Sequence, residues 1–227
     1  MGVKAVIFDL DGTITRFNLD YKRVRAEVRR FLAERGLPPS AFSLNESVFD
    51  MLRKAEIYMR NRGRSEEEIR RLRGEVFTLI DQYELDAARQ TSLLPGARSA
   101  LKAIRDMGLK MAILTVSGEK PTNHILESLR IRNFFDVVVT RESTPAVKPN
   151  PIHLKTALKL LNVKPSEAVM VGDSERDMKC AREVGVRAIG VLTGISNSEE
   201  LMRAGADCLA TSFTDLVLII ERLSREG

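Results

Sequence analysis

From Ala97 onward, short apolar runs alternate with stretches of helical periodicity, and no other feature constrains the fold of this chain as much. After Leu94-Pro95-Gly96 a helix is predicted over about 97–107, a strand over 109–115, a helix over 121–129 and a strand over 137–139. A helix over 151–161, a strand over 168–171, a helix over 175–184 and a strand over 186–191 continue the series. Strands separated by helices run parallel through right-handed crossovers, so the expected class is α/β, a doubly wound parallel sheet. Residues 3–8 add a first strand, an unbroken apolar run suited to burial on both faces.

Between about 20 and 90 the pattern changes. Apolar residues fall at helical spacing in charged surroundings: Val24, Val28, Phe31 and Leu32; Met51, Leu52 and Ala55; then Ile69, Leu72, Val76, Leu79 and Ile80. Pro38-Pro39-Ser40 and Arg62-Gly63-Arg64-Ser65 divide three or four helices, and Ser65 ahead of Glu66, Glu67 and Glu68 reads as a helix start. The expected organisation is a catalytic core of 1–16 and 92–227 and a small α-helical cap of 17–91, inserted after the first strand.

Composition narrows the function classes. A 227-residue chain that is 44% hydrophobic can bury a core without disulfides, and Cys180 and Cys208 are too few and too far apart for a zinc site or a disulfide framework. Both are expected as small apolar core residues in a reducing, cytoplasmic setting. No apolar run approaches the roughly 20 residues that cross a bilayer, and none resembles a secretion signal. The net charge of +5 is spread among mixed signs and aromatic residues are only 5%, so neither a nucleic-acid nor a membrane partner is expected.

Ligands of open parallel sheets bind beyond the carboxyl ends of the strands. The first strand leads there into Asp9 and Asp11, the next into Thr115 and Ser117, and the fourth into Gly172-Asp173-Ser174 with Asp177; Lys148 follows the third by several residues. Clustered carboxylates repel unless a cation neutralises them, and hard oxygen donors favour Mg²⁺. Magnesium with a lysine and hydroxyls points to phosphoryl chemistry. Taken singly, each element has a plainer explanation: Asp-x-Asp-Gly is a common turn and Gly-Asp-Ser a common helix cap. Their joint occurrence after successive strands favours the site.

These residues resemble the haloacid dehalogenase superfamily, nearest its phosphoglycolate phosphatase-like branch. Phe8-Asp9-Leu10-Asp11-Gly12-Thr13 is similar to the family's first motif, Ile113-Leu114-Thr115 to its second, Lys148-Pro149 to its third, and Val171-Gly172-Asp173-Ser174 with Asp177 to its fourth. The resemblance implies Asp9 as nucleophile forming an aspartyl-phosphate and Asp11 as general acid and then base. It implies Thr115 and Lys148 as further catalytic residues, with Asp11, Gly12, Thr115, Val116 and Lys148 around the phosphate. Asp9, the Asp11 carbonyl and Asp173 would ligate Mg²⁺, and Asp177 would act through water or Lys148. Val116 stands where the branch commonly has Asn, so that contact is either missing or supplied by Ser117 or Gly118, and Thr15-Arg16 replace a commonly acidic position. Asp11 argues against dehalogenation, since a halide leaves without a proton.

The expected substrate is a small phosphorylated metabolite: phosphoglycolate, a sugar phosphate or a nucleotide. A phosphosugar mutase would use the same pair of aspartates, and a phosphonate hydrolase would need a cap lysine. A receiver-like signalling module also phosphorylates an aspartate, but on a middle strand of a chain half as long and without the Asp-x-Asp pair. In the insert, Arg53, Lys54, Arg60, Arg62 and Arg64 are expected mainly as a solvated face beside Glu56 and Glu66 to Glu68. His124 and His153 are without partners at metal spacing and are expected on helix surfaces.

Overall fold

A computed structural model describes residues 2–16 and 18–225. Met1, Phe17, Glu226 and Gly227, which the expected domain ranges include, lie outside the described residues. The chain divides into two compact units, Met1–Phe17 with Ala88–Gly227, and Asn18–Ala87.

The larger unit is built on a six-stranded sheet in the order β3-β2-β1-β4-β5-β6, every pairing parallel. The strands are β1 (Ala5–Phe8), β2 (Lys110–Leu114), β3 (Val137–Val139), β4 (Ala168–Gly172), β5 (Arg187–Val191) and β6 (Cys208–Ala210). β1 is central, with Phe8 in register with Ile113 on one side and Val171 on the other. Its alternate residues face opposite layers. Val6 and Phe8 pack with α4 (Ala97–Asp106), α5 (Glu119–Ser128) and α9 (Phe213–Arg225). Ala5 and Ile7 pack with α6 (Pro151–Leu161), α7 (Glu175–Val184) and α8 (Ser198–Ala204). A strand covered on both faces has no polar side to show, which explains the unbroken apolar runs. Cys180 is buried on α7 and Cys208 half-buried on β6, both as free thiols.

The smaller unit is helical: α1 (Tyr21–Glu34), α2 (Val48–Asn61) and α3 (Glu66–Gln90), with a short 3₁₀ turn at Pro39–Ala41. Its core joins Val24, Val28 and Leu32 to Met51, Leu52, Ala55, Leu72, Val76 and Ile80. Asp20 caps α1 by accepting from the Arg23 amide, and Ser47 caps α2 by accepting from the Asp50 amide. At α3 the Ser65 hydroxyl accepts from the Glu68 amide at 3.2 Å, while the Glu68 carboxylate accepts from the Ser65 amide at 2.8 Å. That reciprocal cap is what Ser65-Glu-Glu-Glu encodes. Buried Glu56 is matched by Arg73, whose Nε and Nη2 each donate to it at 2.8 Å. The last turn of α3 belongs to the larger unit, where Ala88 joins the core.

Candidate active site

The site gathers where β1, β2 and β4 end. The Asp9 amide donates to the Val171 carbonyl at 2.9 Å, extending the ladder one residue past Phe8 and fixing the carboxylate at the sheet edge. The chain then turns back on itself: Ile14 donates to the Leu10 carbonyl at 2.9 Å and Gly12 to the Thr15 carbonyl at 2.8 Å. Gly12 has φ +87, and a Cβ there would lie 2.6 Å from Asp173 Oδ2, so a side chain is excluded both by the backbone and by the space. The buried Thr13 hydroxyl donates to Asp173 Oδ1 at 3.1 Å, with Asp9 Oδ2 at 3.5 Å.

Lys148 is the cation at the centre. Its buried Nζ donates to Asp9 Oδ1 at 2.6 Å and to the Leu114 carbonyl at 2.7 Å, and it pairs with Asp177 Oδ1 at 2.6 Å. Asp177 occupies the first turn of α7, where its Oδ2 accepts from the Ser174 amide at 3.1 Å and hydroxyl at 2.6 Å. A residue three positions into a helix reaches back to the cap in this way. Asp173 Oδ2 accepts from the Ile195 amide at 2.9 Å. Asp11 is held separately, by the Ser117 hydroxyl at 2.9 Å and the Thr15 hydroxyl at 3.4 Å.

Thr115 is buried; its amide donates to the Val139 carbonyl at 3.0 Å and its hydroxyl accepts from the Ser117 amide at 3.1 Å. Val116 is half-buried between them, and its side chain brings no polar atom. The side chain next to it in sequence, Ser117, bonds Asp11.

Carboxylate oxygens of Asp9, Asp173 and Asp177 lie within 4.8 Å of one another, and all three residues are buried. Burial raises the Asp9 pKa well above the ordinary carboxylate range; Lys148 opposes this, while Asp177 and Asp173 add to it. Burial and Asp177 likewise raise Asp173, against the Ile195 amide, the Thr13 hydroxyl and Lys148. Burial raises Asp11 against the Ser117 and Thr15 hydroxyls and Lys148. The Lys148 ammonium is held above its usual range although burial opposes its charge, because Asp177 and Asp9 outweigh the burial. One ammonium among three carboxylates leaves an excess of buried negative charge, and a hard divalent cation fits such a set of oxygen donors. Asp177 has already committed its oxygens to Lys148 and Ser174, so Asp9 and Asp173 are the carboxylates best placed to take one.

Two features differ from expectation or were not anticipated. His153 is buried on α6 rather than exposed, because its ring bridges two backbone groups. His124 is half-buried on α5. The loop after β5 closes over Asp173: Thr193 donates to the Gly12 carbonyl at 2.6 Å, and a Cβ on Gly194 would stand 1.8 Å from Asp173 Oδ2. Only the glycine at 194 hinted at this in the sequence. In the helical unit Arg53, Lys54, Arg60 and Arg64 pair with Asp50, Glu46, Glu66 and Glu68, and Arg62 lies over the Tyr58 ring, as a solvated face requires. Among the described residues, no helix is long and apolar enough to cross a membrane.

The family model described as haloacid dehalogenase-like hydrolase matches residues 6–191. A phosphoglycolate phosphatase from Chromobacterium violaceum is 29% identical over 94% of this chain and 95% of that protein. The solved structure of a hydrolase from Pseudomonas syringae superposes with a TM-score of 0.66 at 25% identity, covering 97% of this chain and 99% of that one. A beta-phosphoglucomutase from Clostridium difficile superposes with a TM-score of 0.66 at 21% identity over 99% and 98%, a likeness of fold alone.

Proposed function

Because this chain belongs to the haloacid dehalogenase-like hydrolases, we propose that it is a Mg²⁺-dependent phosphatase acting on a small phosphate monoester through an aspartyl-phosphate on Asp9. The observation that carries the reading is the set of contacts around Asp9: an ammonium at 2.6 Å and two further buried carboxylates within 4.8 Å. Asp9, Asp173 and the Asp11 carbonyl would hold the metal, with Asp177 acting through Lys148. When bound, Mg²⁺ supplies positive charge that screens the phosphoryl group from the attacking carboxylate.

Asp9 attacks phosphorus while the bond to the ester oxygen breaks and its electron pair leaves with that oxygen. Asp11 gives that oxygen its proton. Asp11, now ionised, takes a proton from water, whose oxygen attacks phosphorus and displaces Asp9, releasing inorganic phosphate. Lys148 keeps Asp9 oriented and meets the phosphoryl oxygens together with Thr115 and the backbone around Gly12 and Val116. Ser117 holds Asp11 in place of touching phosphate. The helical unit 18–87 acts as a cap that reads the organic part of the substrate and excludes water.

The relative from C. violaceum makes phosphoglycolate the first substrate to try. A screen of phosphorylated metabolites with Mg²⁺, run on the parent and on Asp9→Asn, tests the proposal. Phosphate release that depends on Asp9 and on the metal supports it; release undiminished in Asp9→Asn overturns it. An isomeric ester formed from a hexose 1-phosphate would instead indicate a mutase.

A further inference from the structure

The buried imidazole of His153 lies between the Lys148 segment and the end of β3, and the phosphatase reaction above leaves it without a role. It is fully buried in the first turn of α6. The turn begins at Asn150, whose side chain accepts from the Ile152 amide, and the His153 amide donates to the Asn150 carbonyl at 3.2 Å. The ring is therefore fixed relative to Lys148, five residues earlier. The Lys148 amide donates to His153 Nδ1 at 3.3 Å, and His153 Nε2 lies 3.3 Å from the Thr140 carbonyl.

These contacts dictate the tautomer. A carbonyl only accepts, so Nε2 carries the proton; the Lys148 amide donates, so Nδ1 is bare. Burial first, and then the Lys148 ammonium, push the ring's pKa down to about 3, so it stays neutral where the enzyme works. Thr140 directly follows β3, and the neighbouring Arg141 amide donates to the Ser117 carbonyl at 3.3 Å. The imidazole thus ties the backbone of Lys148 to the strand end that adjoins the Thr115–Ser117 loop.

We propose that His153 is a positioning residue for Lys148, a neutral two-point strut that fixes the backbone from which the ammonium reaches Asp9. The proposal rests on the reading of Lys148 as the cation that holds Asp9 and the phosphoryl group. Without the strut the Lys148 amide loses its acceptor, and small displacements of a group that aligns reactants cost about ten- to a hundredfold in rate.

The two ring nitrogens can be separated by substitution. Asn places an oxygen near Nδ1 and restores the acceptor for the Lys148 amide; Gln places its amide near Nε2 and restores only the donor to Thr140. Hydrolysis of p-nitrophenyl phosphate with Mg²⁺ is measured in the parent, His153→Phe, His153→Asn and His153→Gln, alongside thermal unfolding and the amide resonance of Lys148. In His153→Phe, kcat is expected to fall about ten- to a hundredfold. His153→Asn should recover most of that loss and His153→Gln little of it, although both destabilise the fold to similar extents. Equal kcat in the Asn and Gln variants, or rates that simply follow melting temperature in all three, would overturn the proposal. If the parent itself releases no phosphate, the phosphatase reading falls. The Lys148 amide shift then decides the strut alone: preserved in His153→Asn and moved in His153→Gln supports it, while the same shift in all four proteins contradicts it.

Discussion

Lys148 Nζ sits 2.6 Å from Asp9 Oδ1, closing a contact across 139 residues of sequence deep in the sheet edge. The same ammonium lies 2.6 Å from Asp177 Oδ1, so removing it leaves two buried carboxylates facing one another. Breaking a buried pair from one side costs about 3–5 kcal/mol. Lys148→Met is therefore expected to lose activity and to lower unfolding free energy by that order in metal-free buffer, with Mg²⁺ restoring part of the stability. Urea denaturation with and without Mg²⁺ checks this; an unchanged midpoint in metal-free buffer would contradict it.

Asp11, whose two oxygens are fixed by the Ser117 and Thr15 hydroxyls, takes the proton-transfer role proposed from the family resemblance. A general acid matters most when the leaving oxygen is a poor leaving group. In the phosphorylation step, read as the first-turnover burst of leaving-group release, Asp11→Asn should thus lose about 10²- to 10⁴-fold on an alkyl phosphate and much less on p-nitrophenyl phosphate, while hydrolysis of the intermediate slows alike for both. Ser117→Ala should move in the same direction by a smaller factor. Equal losses in that burst on both substrates would remove Asp11 from the acid role.

Gly194 shows how tightly the loop after β5 closes on Asp173. A methyl group there would come 1.8 Å from Asp173 Oδ2, so Gly194→Ala must displace the carboxylate. The Mg²⁺ concentration for half-maximal activity is expected to rise about tenfold or more, one lost ligand interaction being worth at least that factor. Gly74→Ala on α3, where a methyl meets nothing within 4 Å, serves as the control and should stabilise by up to about 1 kcal/mol. A Mg²⁺ dependence unchanged in Gly194→Ala would exclude Asp173 as a ligand.

His153 also makes a prediction about acid stability. Its pKa falls from the ordinary 6.5 to about 3 on folding, chiefly through burial and then through Lys148, with the Thr140 carbonyl and Asp177 opposing. Between those values the folded protein binds fewer protons than the unfolded chain, so this contribution is complete above pH 6.5 and is lost as pH falls through the window. At pH 5 the loss amounts to about 2 kcal/mol relative to neutral pH. Unfolding free energies of the parent and His153→Asn at pH 7.5 and 5.0 isolate it: the parent should lose more than the variant. The same loss in both would contradict the buried neutral imidazole.

The sheet was largely legible because parallel strands buried on both faces leave apolar runs that stand out, as at Ala168–Gly172, each followed by polar residues. β6 escaped notice because three residues, Cys208–Ala210, carry too short a run to register. The site was legible where chemistry repeats at strand ends, as with Asp9 and Asp173. It was obscure where backbone or packing does the work: Ile195 contributes its amide, Gly194 its missing side chain, and His153 its burial in a turn where a surface residue was expected. Apart from Gly194, none of these has a residue type that signals its role.

The central claim is that Asp9 becomes covalently phosphorylated during turnover. Acid-quenched samples taken in the first milliseconds of reaction with a phosphate monoester and Mg²⁺, digested and read by mass spectrometry, test it most directly. A phosphoryl group is expected on the peptide carrying Asp9, present in the parent, accumulating when Asp11→Asn slows hydrolysis of the intermediate, and missing in Asp9→Asn. A phosphoryl group on another residue, or full turnover in Asp9→Asn, would contradict it.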